Sequence, residues 1–169
     1  NSKFAYLYCY SADIKVEYFY FITLMLAIIS PSKTQDFSQC DIDFYSQTRH
    51  LENSSELVSI LKKKSQSQIS KLMALSEKLS KLNFDRFQKF KLPFNRDNAK
   101  QAILAFKGDV YNGIDAPALS TDDLKFAQDS VRMLSGLYGV IRPLDLIQPY
   151  RLEMGTKLSN SKGKDLYEY

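Results

Sequence analysis

The chain has 169 residues and a mass of 19.5 kDa, enough for one domain of ordinary size and too little for two. With 44% hydrophobic and 25% charged residues, 6 glycines and 5 prolines, collagen-like, low-complexity and strongly disordered chains are excluded. A net charge of +4 leaves room for a polyanionic partner. In chain order, residues 1–24 are rich in tyrosine with isolated charges and no clean period. The uncharged run 18–29 is too short for a membrane span, which needs about 20 residues. Asp13 and Glu17 sit where a signal peptide would be basic. Residues 1–24 are therefore expected to be an upstream extension, and the folded unit to start at Met25. Residues 25–29 predict a short buried strand ending at Ser30 and Pro31.

Helices are expected next. One is capped by Ser54 or Ser55 and runs to about residue 64, with Leu57, Ile60 and Leu61 on one face. A second runs from about 67 to 82 on a stripe of Ile69, Leu72, Met73, Leu79 and Leu82. Phe84, Phe87 and Phe90 read as core wedges rather than a base-stacking platform. A third helix is expected from about 96 to 106, stopped by Gly108 with Lys107 at its C-terminal end. Residues 109–111 then predict an extended piece entering an Asn112-Gly113 turn. Ser120, with acidic residues behind it, is a good helix start. That helix is expected to carry Leu124, Ala127, Val131 and Leu134 inward and to end at Ser135 and Gly136. The rest, broken by Gly139, Pro143 and Pro149, reads as short strands and loops presenting arginines.

Charge and motif narrow the chemistry. Twelve basic residues face three acidic ones between Lys62 and Lys107, flanked by acidic stretches. That is the footprint of a phosphate-binding face, or of solvated helix surfaces. Two cysteines, Cys9 and Cys40, and the lone His50 cannot build a disulfide framework or a Cys/His zinc site, so no metal or other cofactor is expected and a cytoplasmic address follows. Conventional hydrolase chemistry is not expected, since His50 has no nucleophile motif around it.

Ser30, Lys33 and Thr34 follow the first strand in a polar turn able to hold an anion by side-chain and backbone donors. Ser30 and Lys33 also have the S-x-x-K spacing of some serine nucleophiles, but Pro31 and the lack of companion motifs weaken that reading, and a plain turn-and-cap role is open. Lys107 either neutralises a helix end or projects toward a ligand. Gly136 and Gly139 resemble, approximately, the glycines of a helix-hairpin-helix, which let backbone N–H groups approach phosphates. Arg142, Arg151 and Lys157 supply cations beside them, with Tyr138 and Tyr150 available to hydrogen-bond or stack.

Three stretches, 25–34 (MLAIISPSKT), 105–111 (AFKGDVY) and above all 134–156 (LSGLYGVIRPLDLIQPYRLEMGT), closely resemble the bacterial peroxide stress protein YaaA family. The resemblance runs from Met25 to Tyr169. It implies a single α+β domain with a mixed sheet and several amphipathic helices, described in that family as the cantaloupe fold. It also implies non-specific double-stranded DNA binding in a basic cleft with a helix-hairpin-helix element, and limitation of iron-dependent damage during peroxide stress. The expected protein is a DNA-binding monomer with no membrane contact and no catalytic role, touching phosphates through Ser30, Lys33, Thr34, Lys107, Gly136, Tyr138, Gly139, Arg142, Tyr150, Arg151 and Lys157. The alternative is an enzyme acting on a nucleotide or nucleobase, with an anion pocket at Ser30, Lys33 and Lys107 and with Asp109 as acid or base. Family members run further at the C-terminus, so the chain is expected to cover only part of the domain.

Overall fold

The computed structural model describes residues 25–39 and 42–169; the upstream extension expected at 1–24 and Cys40 lie outside them. The described residues form a mixed α+β arrangement of six α-helices and small sheets. Strand β1 (Ala27–Ile29) is followed by β2 (Thr34–Gln35) and then by three helices, α1 (Leu51–Lys62), α2 (Gln66–Met73) and α3 (Glu77–Lys89). Leu57, Val58, Leu61, Ile69 and Phe87 are buried between these helices and the rest of the molecule. Phe87 and Phe90 are core residues, with the half-buried Phe84 packed against them.

The single helix expected over 67–82 is two. Ser65 closes a capping box with Gln68 at the start of α2. Ala74 then turns left-handed at φ +50, and Ser76 caps α3 by accepting from the Leu79 N–H. The intervening Leu75 is buried in the break. A serine that reads as one more polar helix position therefore acts as a helix start.

The helix expected over 96–106 is also absent. Strand β3 (Lys100–Gln101), a single helical turn α4 (Ala102–Ala105) and β4 (Phe106–Lys107) stand in its place. The Ala102 and Ile103 N–H groups donate to the Asp145 and Pro143 carbonyls, and the Gln101 amide donates to the carbonyls of Ile42 and Phe44. These partners outcompete helix propensity. Conversely, 109–111 is helical rather than extended: α5 (Asp109–Ile114) starts after Gly108 at φ +122 and ends at Asp115 at φ +46, ahead of a short 3-10 turn over Ala116–Ala118.

Helix α6 (Thr121–Ser130) has the expected Ser120 cap, with Asp123 completing the box. It stops early, because Val131 opens strand β5 (Val131–Ser135), followed by β6 (Gly139–Ile141) and β7 (Leu146–Ile147). The three-stranded sheet runs β1-β5-β6, with β1 parallel and β6 antiparallel to β5; β2 pairs β4 and β3 pairs β7, both antiparallel. Met133 and Ile141, which sit opposite one another, are fully buried. On the other face Ile28, Leu134 and Val140 are 60%, 47% and 43% exposed. The expected burial of residues 25–29 and of Leu134 is thus not what the sheet gives them.

Candidate functional site

Strands β1 and β5 run parallel, so their carboxyl ends lie side by side, the place where open sheets gather ligands. The chain leaves β1 through Ser30–Lys33 and leaves β5 at Gly136. Beside them lies a cleft of about 270 Å³, its lining drawn from Ser30, Ser32, Lys33 and Gln35, from Leu134 and Gly136, and from residues 150–154.

Local bonds fix this lining. The Tyr111 hydroxyl of α5 donates to the Ser30 carbonyl at 2.8 Å, and Ser32 Oγ accepts from the Thr34 N–H at 3.1 Å. Gln35 Oε1 accepts from the Tyr150 N–H at 3.1 Å, tying β2 to the 150–154 stretch. A Cβ on Gly136 would stand 2.4 Å from the Leu152 carbonyl oxygen. Gly136 is therefore glycine so that the hairpin can seat directly on the backbone of 152–153, not so that a phosphate can approach.

Gly136 and Gly139 do not belong to a helix-hairpin-helix. They flank the turn of the β5–β6 hairpin, in which Ser135 pairs with Gly139 and Gly139 takes φ +67, a left-handed conformation that glycine adopts without a Cβ penalty. Gly139 lies beside His50 and lines a separate cleft of about 220 Å³.

The two tyrosines are structural. Tyr138 is fully buried, and its hydroxyl donates to the Gln148 carbonyl and accepts from the Gln148 N–H. Tyr150 is buried with its hydroxyl 2.7 Å from Ser135 Oγ, the two rings meeting edge to face. Burial pushes both phenols well above their ordinary range, as it does Tyr111. They stay neutral and cannot serve as anionic bases.

The five anticipated cations separate. Lys33 Nζ and Arg151 Nη2 each lie 3.2 Å from the same oxygen, Glu153 Oε1. These two meet at the cleft although 118 positions apart in the chain. Lys33 is thus engaged by Glu153 rather than poised as a base for Ser30. Lys107 pairs with Thr34 across the β2–β4 ladder and sets its amine 3.7 Å from Asp36. A hydrogen bond from the Ser38 backbone, helped by Lys100 and Lys107, holds that carboxyl below its usual range. Arg142 grips the fully buried Asp145 through Nε and Nη2 at 3.1 and 2.8 Å. Lys157 is exposed and, like Thr34, Lys107 and Arg142, does not line the cleft.

Four residues that matter here are absent from the site residues singled out in the sequence. Ser32 and Gln35 sit in the motif that gave Ser30 and Lys33. Glu153 stands two places after Arg151, a spacing that puts both on one side of an extended stretch. Arg86 of α3 is a fourth: burial and the nearby Arg151 charge both disfavour its protonated form. Only position in the fold could show that. Among the described residues no three His, Cys, Asp or Glu side chains gather as a ligand set, and no helix is long and apolar enough to cross a membrane. What the cleft offers chemically is hydroxyls and cations around one carboxylate, the make-up of an anion site.

Comparison with known proteins agrees with the motif stretches. A family model described as peroxide stress protein YaaA matches residues 25–169. A protein of Hahella chejuensis (strain KCTC 2396) described as a UPF0246 protein is 53% identical over 146 residues, covering 86% of this chain. The chain spans 57% of that relative's length. A family match over residues 25–169, with a relative at 53% identity, makes the chain a member of the peroxide stress protein YaaA family.

Proposed function

We propose that this oxidative-stress protein binds double-stranded DNA without sequence preference, and that the cleft at the ends of β1 and β5 takes a backbone phosphate. In this reading it works in the cytoplasm as a monomer, without a membrane or catalytic role, and limits iron-dependent damage by occupying the DNA. The observation that carries the reading is the meeting of Lys33 and Arg151 at a cleft that also presents Ser30 and Ser32. Guanidinium, ammonium and hydroxyl donors together fit a phosphate and carry no base information. Two cations share one carboxylate there, leaving positive charge to offer a polyanion.

Salt dependence tests it. Affinities for unrelated duplexes, measured by fluorescence anisotropy, should be similar and should fall steeply as salt rises. Replacing Lys33 and Arg151 together by alanine should weaken binding to every duplex and reduce the log–log salt slope by about 2. Affinity that ignores salt, or a double variant with an unchanged slope, overturns the reading.

The small, concave cleft also favours a second reading, an enzyme or binder for a nucleotide or nucleobase. Of the residues expected for that pocket, Ser30 and Lys33 line the cleft while Lys107 and Asp109 do not. A thermal shift with a mononucleotide that inorganic phosphate does not reproduce would put this reading first.

A further inference from the structure

We propose that Glu153 is a built-in competitor for the phosphate, a carboxylate that occupies the anion position between Lys33 and Arg151 and gives way when a phosphate arrives. The inference rests on the reading of the cleft as a phosphate site. A single oxygen, Oε1, takes both cations at 3.2 Å, and both cations line the cleft. A phosphate oxygen bound by the same two donors would need that place.

The backbone under Glu153 is fixed, because Gly136 packs against Leu152 and Glu153 with no room for a Cβ. The side chain above it is half exposed, so it can swing away without disturbing the fold. Ion pairs this exposed are weak, within about 1 kcal/mol each, while a phosphate brings more negative charge and more acceptor oxygens than a carboxylate. The exchange therefore favours the ligand. It also explains the local imbalance: one carboxylate holds both Lys33 and Arg151 in place, so one positive charge is left over. A small monovalent competitor keeps the cations arranged and makes the site selective for anions that outbid it.

The test uses Glu153→Gln, which keeps shape and removes charge, with Glu153→Ala as a second variant. Asp122→Asn serves as a control: Asp122 is an exposed carboxylate paired with Lys125 on α6, so the change alters net charge equally and leaves the cleft alone. Binding of a short fluorescein-labelled duplex of arbitrary sequence is followed by anisotropy, with far-UV circular dichroism to check folding. Both Glu153 variants should tighten binding by about three- to tenfold, while Asp122→Asn changes it by less than about twofold. Equal tightening by all three variants would show bulk charge only and overturn the proposal. Unchanged or weakened binding in the Glu153 variants, with salt-dependent binding by the parent chain, overturns it while leaving the phosphate site standing. If neither parent nor variant binds the duplex, both readings fall.

Discussion

Arg142 and Arg151 stand nine positions apart in one loop-rich stretch, yet their surroundings give them different work. Arg142 spends its guanidinium on Asp145, which also accepts from the Arg142 backbone N–H and from the Ser46 hydroxyl at 2.6 Å. Asp145 has no exposed surface, so it needs every one of those donors. Arg151 pairs with the half-exposed Glu153 and lines a cleft. Arg142→Ala should therefore cost about 3 kcal/mol of stability in urea denaturation and leave the salt slope of duplex binding unchanged. A slope reduced by about 1 with little loss of stability would instead make Arg142 a phosphate contact. Sequence reading could place both arginines after a turn, and it did. It could not see which carboxylate waits for each, because the decisive property of Asp145 is its burial, and that comes from packing around β7 rather than from its neighbours in the chain. Tyr138 is the same case: its position in the motif is visible, while its burial against Phe94 and Tyr150 is not.

Helix ends were legible where a side chain makes the end by itself. Ser120 with Asp123 forms the expected box. The ends that misled are those made by a backbone turn or a distant partner. Ala74 breaks the 66–89 region by adopting φ +50 with an exposed side chain, a conformation alanine is poor at holding. The strain persists because Leu75 must drop into the core and Ser76 must cap α3. Ala74→Gly should relieve it, raising the urea midpoint by the equivalent of about 1 kcal/mol with an unchanged m value. A loss of stability would mean that the α2–α3 turn draws its shape from some contact of the methyl group. The stretch 96–106 failed for the opposite reason. Its apolar spacing is helical, but the N–H groups of Ala102 and Ile103 find carbonyls at Asp145 and Pro143, more than 35 residues away, and local periodicity carries no trace of them.

At the scale of the molecule, the described residues cover the three-stranded sheet on one side only. Parallel strands are normally covered on both faces, and the β1–β5 pair buries Met133 while Ile28 and Leu134 remain open on the other. Val140, opposite Leu134 in the hairpin, extends the open strip into β6. Contiguous exposed apolar side chains on a short sheet promote self-association. Replacing Ile28 and Val140 together by threonine keeps β-branched side chains suited to strands and removes much of the strip, while sparing Leu134, which lines the cleft. The double variant should bind less of the dye ANS, give more soluble protein at equal expression, and keep its stability within about 1 kcal/mol of the parent, since neither side chain is buried. Ser30 and Lys33 are left untouched by the change, so the salt slope of duplex binding should also be unaltered. A stability loss of about 2 kcal/mol or more would show that the two side chains are packed in solution. The sheet's second face would then be covered rather than open.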